Sequence, residues 1–295
     1  MKIGIIGAGS IGLLFAAYLQ RNFNVTLYTR NEEQADHINV QGVSLLKGVG
    51  PFTAKVDAVP LSNGIGEDDI IVIAVKQYQL EPILSRLPAG GNYLFLQNGM
   101  GHLKYLQELD ARNIYVGSVE HGAYREDDRT VSHNGKGVTR AAVYKGDPSL
   151  LMEFAGLVPK EFPVHIEEDY YGMLANKLAA NAVINPLTAI LRVKNGELVS
   201  NHHFEKALEC LFNEVMGILD LPDKTEKLLM VKGICRNTAE NRSSMLKDLE
   251  AGRPTEVDAI LGYLLEEAKG AETPLLTAYY ELIKGMELAA ERGRA

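Results

Sequence analysis

Cysteine is almost absent from this 295-residue chain, with Cys210 and Cys235 the only two. Two thiols in segments of helical periodicity cannot build the disulfide framework that staples small secreted folds, and a reducing compartment fits them. Both are expected to be buried small hydrophobes. Dense lysine or arginine runs are missing as well. With 30 basic against 38 acidic residues and a net charge of −8, the chain lacks the electrostatic footprint of a phosphate-backbone binder, so no nucleic-acid partner is expected. No apolar run has the length to cross a bilayer, so no membrane partner is expected either. Met1 to Leu19 has the opening cation and apolar residues of a secretory leader. Gly4, Gly7, Gly9 and Gly12 interrupt it, however, and no convincing cleavage site follows, so a cytoplasmic protein is the expectation. Internal repeats, low-complexity segments and metal-ligand motifs are not found.

What is present is an ordinary globular composition, 46% hydrophobic and 23% charged. The length suits two domains, each able to bury its own core. The first half alternates short β-branched runs with helical patterns, which predicts a parallel sheet covered by helices. Strands are predicted at Ile3 to Ile6, Asn24 to Thr29, Ile70 to Val75, Tyr93 to Gln97, Ile114 to Val119 and Thr139 to Tyr144, with a helix from Ile11 to Gln20. Two shorter strands are expected between Val43 and Val59, and a hairpin turn at Ser132 to Gly137. After about Glu167 helical periodicity takes over. Helices are predicted at Tyr170 to Leu191, Ser200 to Leu219, Lys224 to Arg236, Ser243 to Ala251, Glu256 to Lys269 and Pro274 to Arg292. The fold class is therefore α/β, with a Rossmann-like domain over 1–167 followed by an all-α domain over 168–295.

Gly7-Ala8-Gly9-Ser10-Ile11-Gly12 joins the first strand to the first helix, the context a dinucleotide fingerprint requires. One glycine permits the tight turn, one lets backbone approach a pyrophosphate, and one allows close helix-to-strand packing. The second strand ends Leu27-Tyr28-Thr29-Arg30, where a site for NAD would usually place a carboxylate for the ribose hydroxyl. Thr29 can donate a hydrogen bond and Arg30 can pair with a 2′-phosphate, so NADP is read over NAD. Lys76 and Asn98 follow predicted strands, at the edge where ligands of open α/β sheets sit. Locally, a turn asparagine explains Asn98 nearly as well, and a lysine such as Lys76 is by itself more often solvated.

In the helical half, Lys177, Asn181 and Asn185 recur every fourth residue and form one polar stripe on an otherwise apolar helix. Polar groups in such surroundings need partners, which a polar ligand would supply. Pro186 is expected to kink or loosen this helix. A second polar cluster spans Glu240 to Leu246 and Gly252 to Asp258. There Ser243, Ser244 and the pair Thr255-Glu256 are suited to capping helices, and the serines also to binding a carboxylate.

Taken together, the chain resembles the ketopantoate reductase (2-dehydropantoate 2-reductase) family from Met1 to about Arg292. The resemblance rests on the Gly7 to Gly12 loop, Val75-Lys76, Gln97-Asn98-Gly99, Asn176-Lys177-Leu178 with Asn181, Asn185-Pro186-Leu187-Thr188-Ala189, Asn195-Gly196-Glu197-Leu198, Ser243-Ser244-Met245-Leu246 and Thr255-Glu256-Val257-Asp258. It implies reduction of 2-dehydropantoate to (R)-pantoate by NADPH, a step toward pantothenate and coenzyme A, with Lys177 as proton donor. It further implies that Asn98 meets both nicotinamide and substrate, that Asn181 and Asn185 hold the substrate, that Ser244 binds its carboxylate and that Glu256 contacts the cofactor. Asn195 and Asn241 match lesser substrate positions. Many members carry a tryptophan two residues before the lysine, whereas this chain has Ala175. Two alternatives stand beside this expectation: an NADP-dependent reductase of another branched 2-keto acid, and a non-catalytic NADP sensor. Helix-rich second domains of this kind often pair, which leaves a homodimer open.

Overall fold

The computed structural model describes residues 1–48 and 50–292, the side chains of residues 291 and 292 excepted. The chain divides into two compact units, Met1–Gln97 with Lys104–Met173, and Asn98–Leu103 with the chain from Leu174 onward. Asn98–Leu103 thus fold with the helical unit, a detour that no change of composition marks.

In chain order the first unit contains β1 (Lys2–Ile6), α1 (Ser10–Leu19), β2 (Asn24–Thr29), α2 (Glu32–Gln41), β3 (Val43–Leu46), β4 (Pro51–Ala54), β5 (Asp57–Pro60), β6 (Ile70–Ile73), α3 (Glu81–Leu84), β7 (Gly91–Phe95), α4 (Leu103–Leu106), β8 (Ala111–Val119), β9 (Gly122–Arg125), β10 (Thr130–Gly135), β11 (Thr139–Lys145), α5 (Ser149–Leu157) and β12 (Val164–Glu167). Eight strands form one sheet in the order β12-β11-β8-β7-β6-β1-β2-β5. All neighbours are parallel except β8 and β11. β1 lies between β2 and β6, so the chain winds outward on both sides of it, and the loops after β1 and β6 flank the topological switch point where ligands of such sheets bind. The four residues Ile3 to Ile6 are wholly buried, as a central strand covered on both faces requires.

A second sheet, in the order β4-β3-β10-β9, was not expected from the sequence. Helix α1 packs against both sheets, which explains why every residue from Gly12 to Leu19 is buried and why the segment reads as uniformly apolar. Three strands, not two, lie between Val43 and Pro60; Pro51 opens β4, an edge strand, where its missing N–H costs no ladder bond. Of the turn expected at Ser132 to Gly137, Ser132–Gly135 is instead part of strand β10, and only Lys136 and Gly137 lie outside a strand. The hairpin turns earlier, where Asp127 Oδ1 accepts from the N–H groups of Arg129 (2.9 Å) and Thr130 (2.6 Å). Asn134-Gly135 suggested a turn, but that pair marks an irregularity in the β9–β10 register.

The helical unit comprises α6 (Tyr170–Leu191, whose first turn belongs to the first unit), α7 (Glu197–Ser200), α8 (His202–Leu219), α9 (Lys224–Asn237), α10 (Ser244–Glu250), a π-helical turn (Asp258–Gly262), α11 (Tyr263–Glu267) and α12 (Pro274–Arg292). α6 runs through Pro186 as one helix of 22 residues and is not divided there. Just beyond, Thr188 Oγ1 donates to the carbonyls of Ile184 (2.8 Å) and Asn185 (3.1 Å). Cys235 is buried as expected; Cys210 is not, because it lies on the outer face of α8, away from the apolar stripe of Leu208, Leu211, Phe212 and Val215. No helix of the described residues is long and apolar enough to cross a membrane.

Candidate functional site

In the first unit the three glycines of the loop divide the work. Gly7 has φ +105°, a conformation other residues resist, and a Cβ there would lie 2.6 Å from Val75 Cγ1. Gly12 is pressed against the Gly7 carbonyl, so any side chain would overlap it. Gly9 differs: a Cβ built on it meets nothing within 4 Å, so its small size serves no internal packing and leaves open space at the helix start. Gly9 is the N-cap of α1, the first turn of α1 carries no acidic residue, and no side chain caps it. Free amides, a positive dipole end and open space suit a diphosphate. Ala8 is buried, while Ser10 and Ile11 are half-buried; Ser10 Oγ accepts from the Arg125 N–H at 3.1 Å.

Arg30 follows β2, is exposed, and makes no side-chain hydrogen bond or ion pair among the described residues. Thr29, read as a ribose donor, is 1% exposed and donates instead to the Asn31 carbonyl at 2.8 Å. It shapes the turn, because a buried hydroxyl takes the nearest acceptor. Lys76 is half-buried beyond β6, at the start of a short turn in which its N–H donates to Gln79 Oε1 at 3.3 Å. Gln97 Nε2 donates to the carbonyls of Ile73 (3.0 Å) and Val75 (2.9 Å), tying the ends of β6 and β7 together just before Lys76 and Asn98.

In the second unit, α6 carries Lys177 and Asn181 half-buried and Asn185 buried, on a helix whose neighbours Ala179, Ala182 and Val183 are fully buried. The side chains of Asn181 and Asn185 have no hydrogen-bond partner among the described residues. The stripe therefore offers unused amides in surroundings that are mostly apolar, which a polar ligand would complement. Ala175 is fully buried, so no large side chain packs at that position behind Lys177. Ser243 Oγ donates to Thr188 Oγ1 at 2.7 Å, the Thr188 hydrogen being given to the α6 carbonyls, and Ser243 Oγ accepts from the Leu246 N–H at 3.1 Å. Ser243 is thus the cap of α10, anchored to α6, and Ser244 beside it is exposed at the first turn. Asn195 N–H donates to the Asn241 carbonyl at 2.9 Å, and its Nδ2 to Thr238 Oγ1 at 2.9 Å, which brings those two candidates together. Asn195 Oδ1 is buried without a partner among the described residues.

Asn98 joins this second group. Its Nδ2 donates to Glu256 Oε2 at 2.9 Å. Gly99, with φ +77°, lies so close to Ala259 that a Cβ would overlap the Ala259 carbonyl, and that carbonyl accepts from the Met100 N–H at 3.3 Å. The reason is local: in the π-turn the Tyr263 N–H reaches back five residues to Asp258, leaving the Ala259 carbonyl for the incoming segment. The helix expected from Glu256 to Lys269 is interrupted for this purpose. His102, in the same segment, is fully buried with neither ring nitrogen paired among the described residues, and burial pushes its pKa down to about 4.

Two further residues support these groups without having been read from the sequence. Gln34 on α2 donates through Nε2 to the Ala8 carbonyl (3.2 Å) and the Asp128 carbonyl (2.6 Å), fastening the glycine loop to the β9–β10 hairpin. Glu287 on α12 accepts from both N–H and Oγ1 of Thr255, each at 2.7 Å. Neither carries a motif signal, since each acts on a segment distant in sequence.

Comparison with known proteins follows the same lines. The family model for ketopantoate reductase PanE/ApbA matches residues 3–146, and that for the ketopantoate reductase PanE/ApbA C terminal matches residues 169–287. The chain belongs to the ketopantoate reductase family. A 2-dehydropantoate 2-reductase of Bacillus subtilis (strain 168) is 44% identical over 294 residues, covering 97% of this chain and 98% of the relative. The crystal structure of a probable 2-dehydropantoate 2-reductase from Bacillus subtilis superposes with a TM-score of 0.89 at 42% identity, over 97% of this chain and 100% of that one. D-mandelate dehydrogenase in complex with NADH is similar with a TM-score of 0.88 at 25% identity, over 98% and 100%.

Proposed function

We propose that the protein reduces 2-dehydropantoate to (R)-pantoate with NADPH, supplying the pantoate of pantothenate and coenzyme A synthesis. The observation that carries this reading is the near full-length likeness to the Bacillus subtilis 2-dehydropantoate 2-reductase. The first unit holds the cofactor and the second the substrate. The open space at Gly9 and the free amides of α1 fit a dinucleotide diphosphate, with Ala8, Ser10 and Ile11 completing the loop, Arg30 meeting the 2′-phosphate and Lys76 lying at the same sheet edge. NADPH, when bound, supplies a hydride to the keto carbon.

The protein's own part is electrostatic. As the carbonyl is reduced, negative charge builds on its oxygen; the Lys177 ammonium stabilises that charge and then donates the proton. Asn181 and Asn185 hold the substrate's oxygens with amides that nothing else among the described residues uses. Ser244 binds the carboxylate, helped by the N-terminal amides of α10. Asn98 and Glu256 contact the cofactor, Asn98 also the substrate, while Asn195 and Asn241 complete the substrate wall.

The test is NADPH consumption, followed by absorbance with purified protein and 2-dehydropantoate, run beside NADH and beside simpler 2-keto acids. Fast oxidation of NADPH with 2-dehydropantoate alone is expected. Turnover with no keto acid would leave a dinucleotide sensor. Preference for another branched 2-keto acid would favour a second reading, to which the likeness to D-mandelate dehydrogenase lends support. The same proposal includes a homodimer, for which exposed Leu229 and Met230 on α9 and Leu282 and Leu288 on α12 supply apolar surface. It also includes a cytoplasmic location, which two free thiols fit.

A further inference from the structure

We infer that Glu287 is a positioning residue for the cofactor contact made by Glu256, an inference that rests on the reading of Glu256 given above. Glu256 lies in a short stretch between α10 and the π-turn, where its carbonyl accepts from the Ile260 N–H at 3.1 Å but the chain leading into it belongs to no regular element. That leading chain is fastened to α12. Glu287 Oε1 accepts from both the N–H and the Oγ1 of Thr255, each at 2.7 Å, and its other oxygen pairs with Lys284 Nζ at 3.2 Å. On the far side of Glu256, Asp258 accepts from Tyr280 Oη (2.8 Å) and from Lys284 Nζ (3.1 Å).

The residue before Glu256 and the residue two after it are therefore both fastened to one face of α12. The two fastenings are unequal. The Asp258 side chain is 60% exposed, so its pairing is screened by solvent. Thr255 is 4% exposed and the Glu287 side chain 14%, so the Thr255 end is where the position is set. Between them Glu256 is itself 9% exposed and takes the Asn98 amide at 2.9 Å, so a shift of its backbone would displace both side chains together. With Thr255 held by a charge-assisted double hydrogen bond, the carboxylate of the next residue, Glu256, is preorganised, and loss of that bond is felt as weaker binding of whatever the carboxylate meets.

A double-mutant cycle on the full chain tests this, with NADPH affinity read by calorimetry and Tm recorded alongside. Glu287→Ala should weaken NADPH binding about tenfold, Glu287→Gln, which keeps the acceptor oxygen, should restore most of it, and Glu287→Ala added to Glu256→Ala should cost nothing further. Full additivity in the double variant, or a lowered Tm with NADPH affinity unchanged in both Glu287 variants, would overturn the inference and leave the Glu256 reading intact. If Glu256→Ala alone binds NADPH as the parent does, the reading of Glu256 falls and the role of Glu287 with it.

Discussion

Gly12 sits directly beneath Gly7, close enough that a Cβ on Gly12 would overlap the Gly7 carbonyl oxygen, whereas a Cβ on Gly9, between them in the loop, would touch nothing. The two positions should therefore fail differently. Gly12→Ala must displace backbone and is expected to lower Tm by several degrees and abolish NADPH binding together. Gly9→Ala, with φ −87° acceptable to alanine, should fold with unchanged Tm yet weaken NADPH binding, because its methyl group occupies the space a diphosphate needs. Thermal melts and calorimetric titration of the two variants check this. Normal NADPH affinity in Gly9→Ala would remove the loop from the cofactor site.

Arg30 has no internal role that would confuse its substitution, being exposed and unpaired among the described residues. A guanidinium on a 2′-phosphate forms charge-assisted hydrogen bonds that NADH cannot use. Arg30→Ala is expected to weaken NADPH about tenfold while changing NADH less than twofold, so that the ratio of kcat/KM for the two cofactors collapses toward one. Equal losses with both cofactors would place Arg30 elsewhere.

Lys177 is asked to act when charge appears on the substrate oxygen, so its removal should be felt in the transition state more than in binding. Lys177→Ala is expected to lower kcat by about 100-fold or more with the affinity for NADPH nearly unchanged. Asn181→Ala should instead act chiefly on KM for the keto acid. Rapid-mixing measurement of NADPH oxidation, paired with calorimetry for each variant, separates the two; a Lys177→Ala enzyme of parental kcat would end the assignment.

How much of this could be read in advance depends on whether a feature is local. β2 is found over its expected residues, Asn24 to Thr29, and α6 over Tyr170 to Leu191, because β-branched alternation and a 22-residue helical period are written in consecutive residues. The second sheet was missed because β3 pairs with β10, a register between Ser44 and Thr130 that no local pattern encodes. The glycine loop and the Lys177 stripe were visible as motifs. The transfer of Asn98–Leu103 to the helical unit was not, since it hangs on the Ala259 carbonyl released by a π-turn, and π-turns leave no compositional trace. The use of Thr29 was misjudged for a related reason: a free hydroxyl and one already given to the Asn31 carbonyl look alike in sequence.

The segment that delivers Asn98 also carries an acid-sensitive element. His102 is fully buried, with a pKa near 4 against 6.5 when unfolded, and neither ring nitrogen finds a partner among the described residues. Above the unfolded value both states are neutral and the group makes stability no more and no less dependent on pH. As pH falls from 6.5 toward 4 the unfolded chain takes up a proton that the folded chain refuses, so stability is lost across that window and the loss levels off below it. At pH 5 this amounts to about 2 kcal/mol from His102 alone. His121, also lowered to about 4 by burial and by neighbouring His133, adds to the loss in the same direction. His102→Leu removes the unpaired nitrogens at nearly constant volume, so it should raise stability or leave it unchanged at pH 7.5 and shrink the difference between pH 7.5 and pH 5. Urea unfolding of parent and variant at both pH values measures this. An unaltered difference would mean that His102 does not resist protonation in the folded protein.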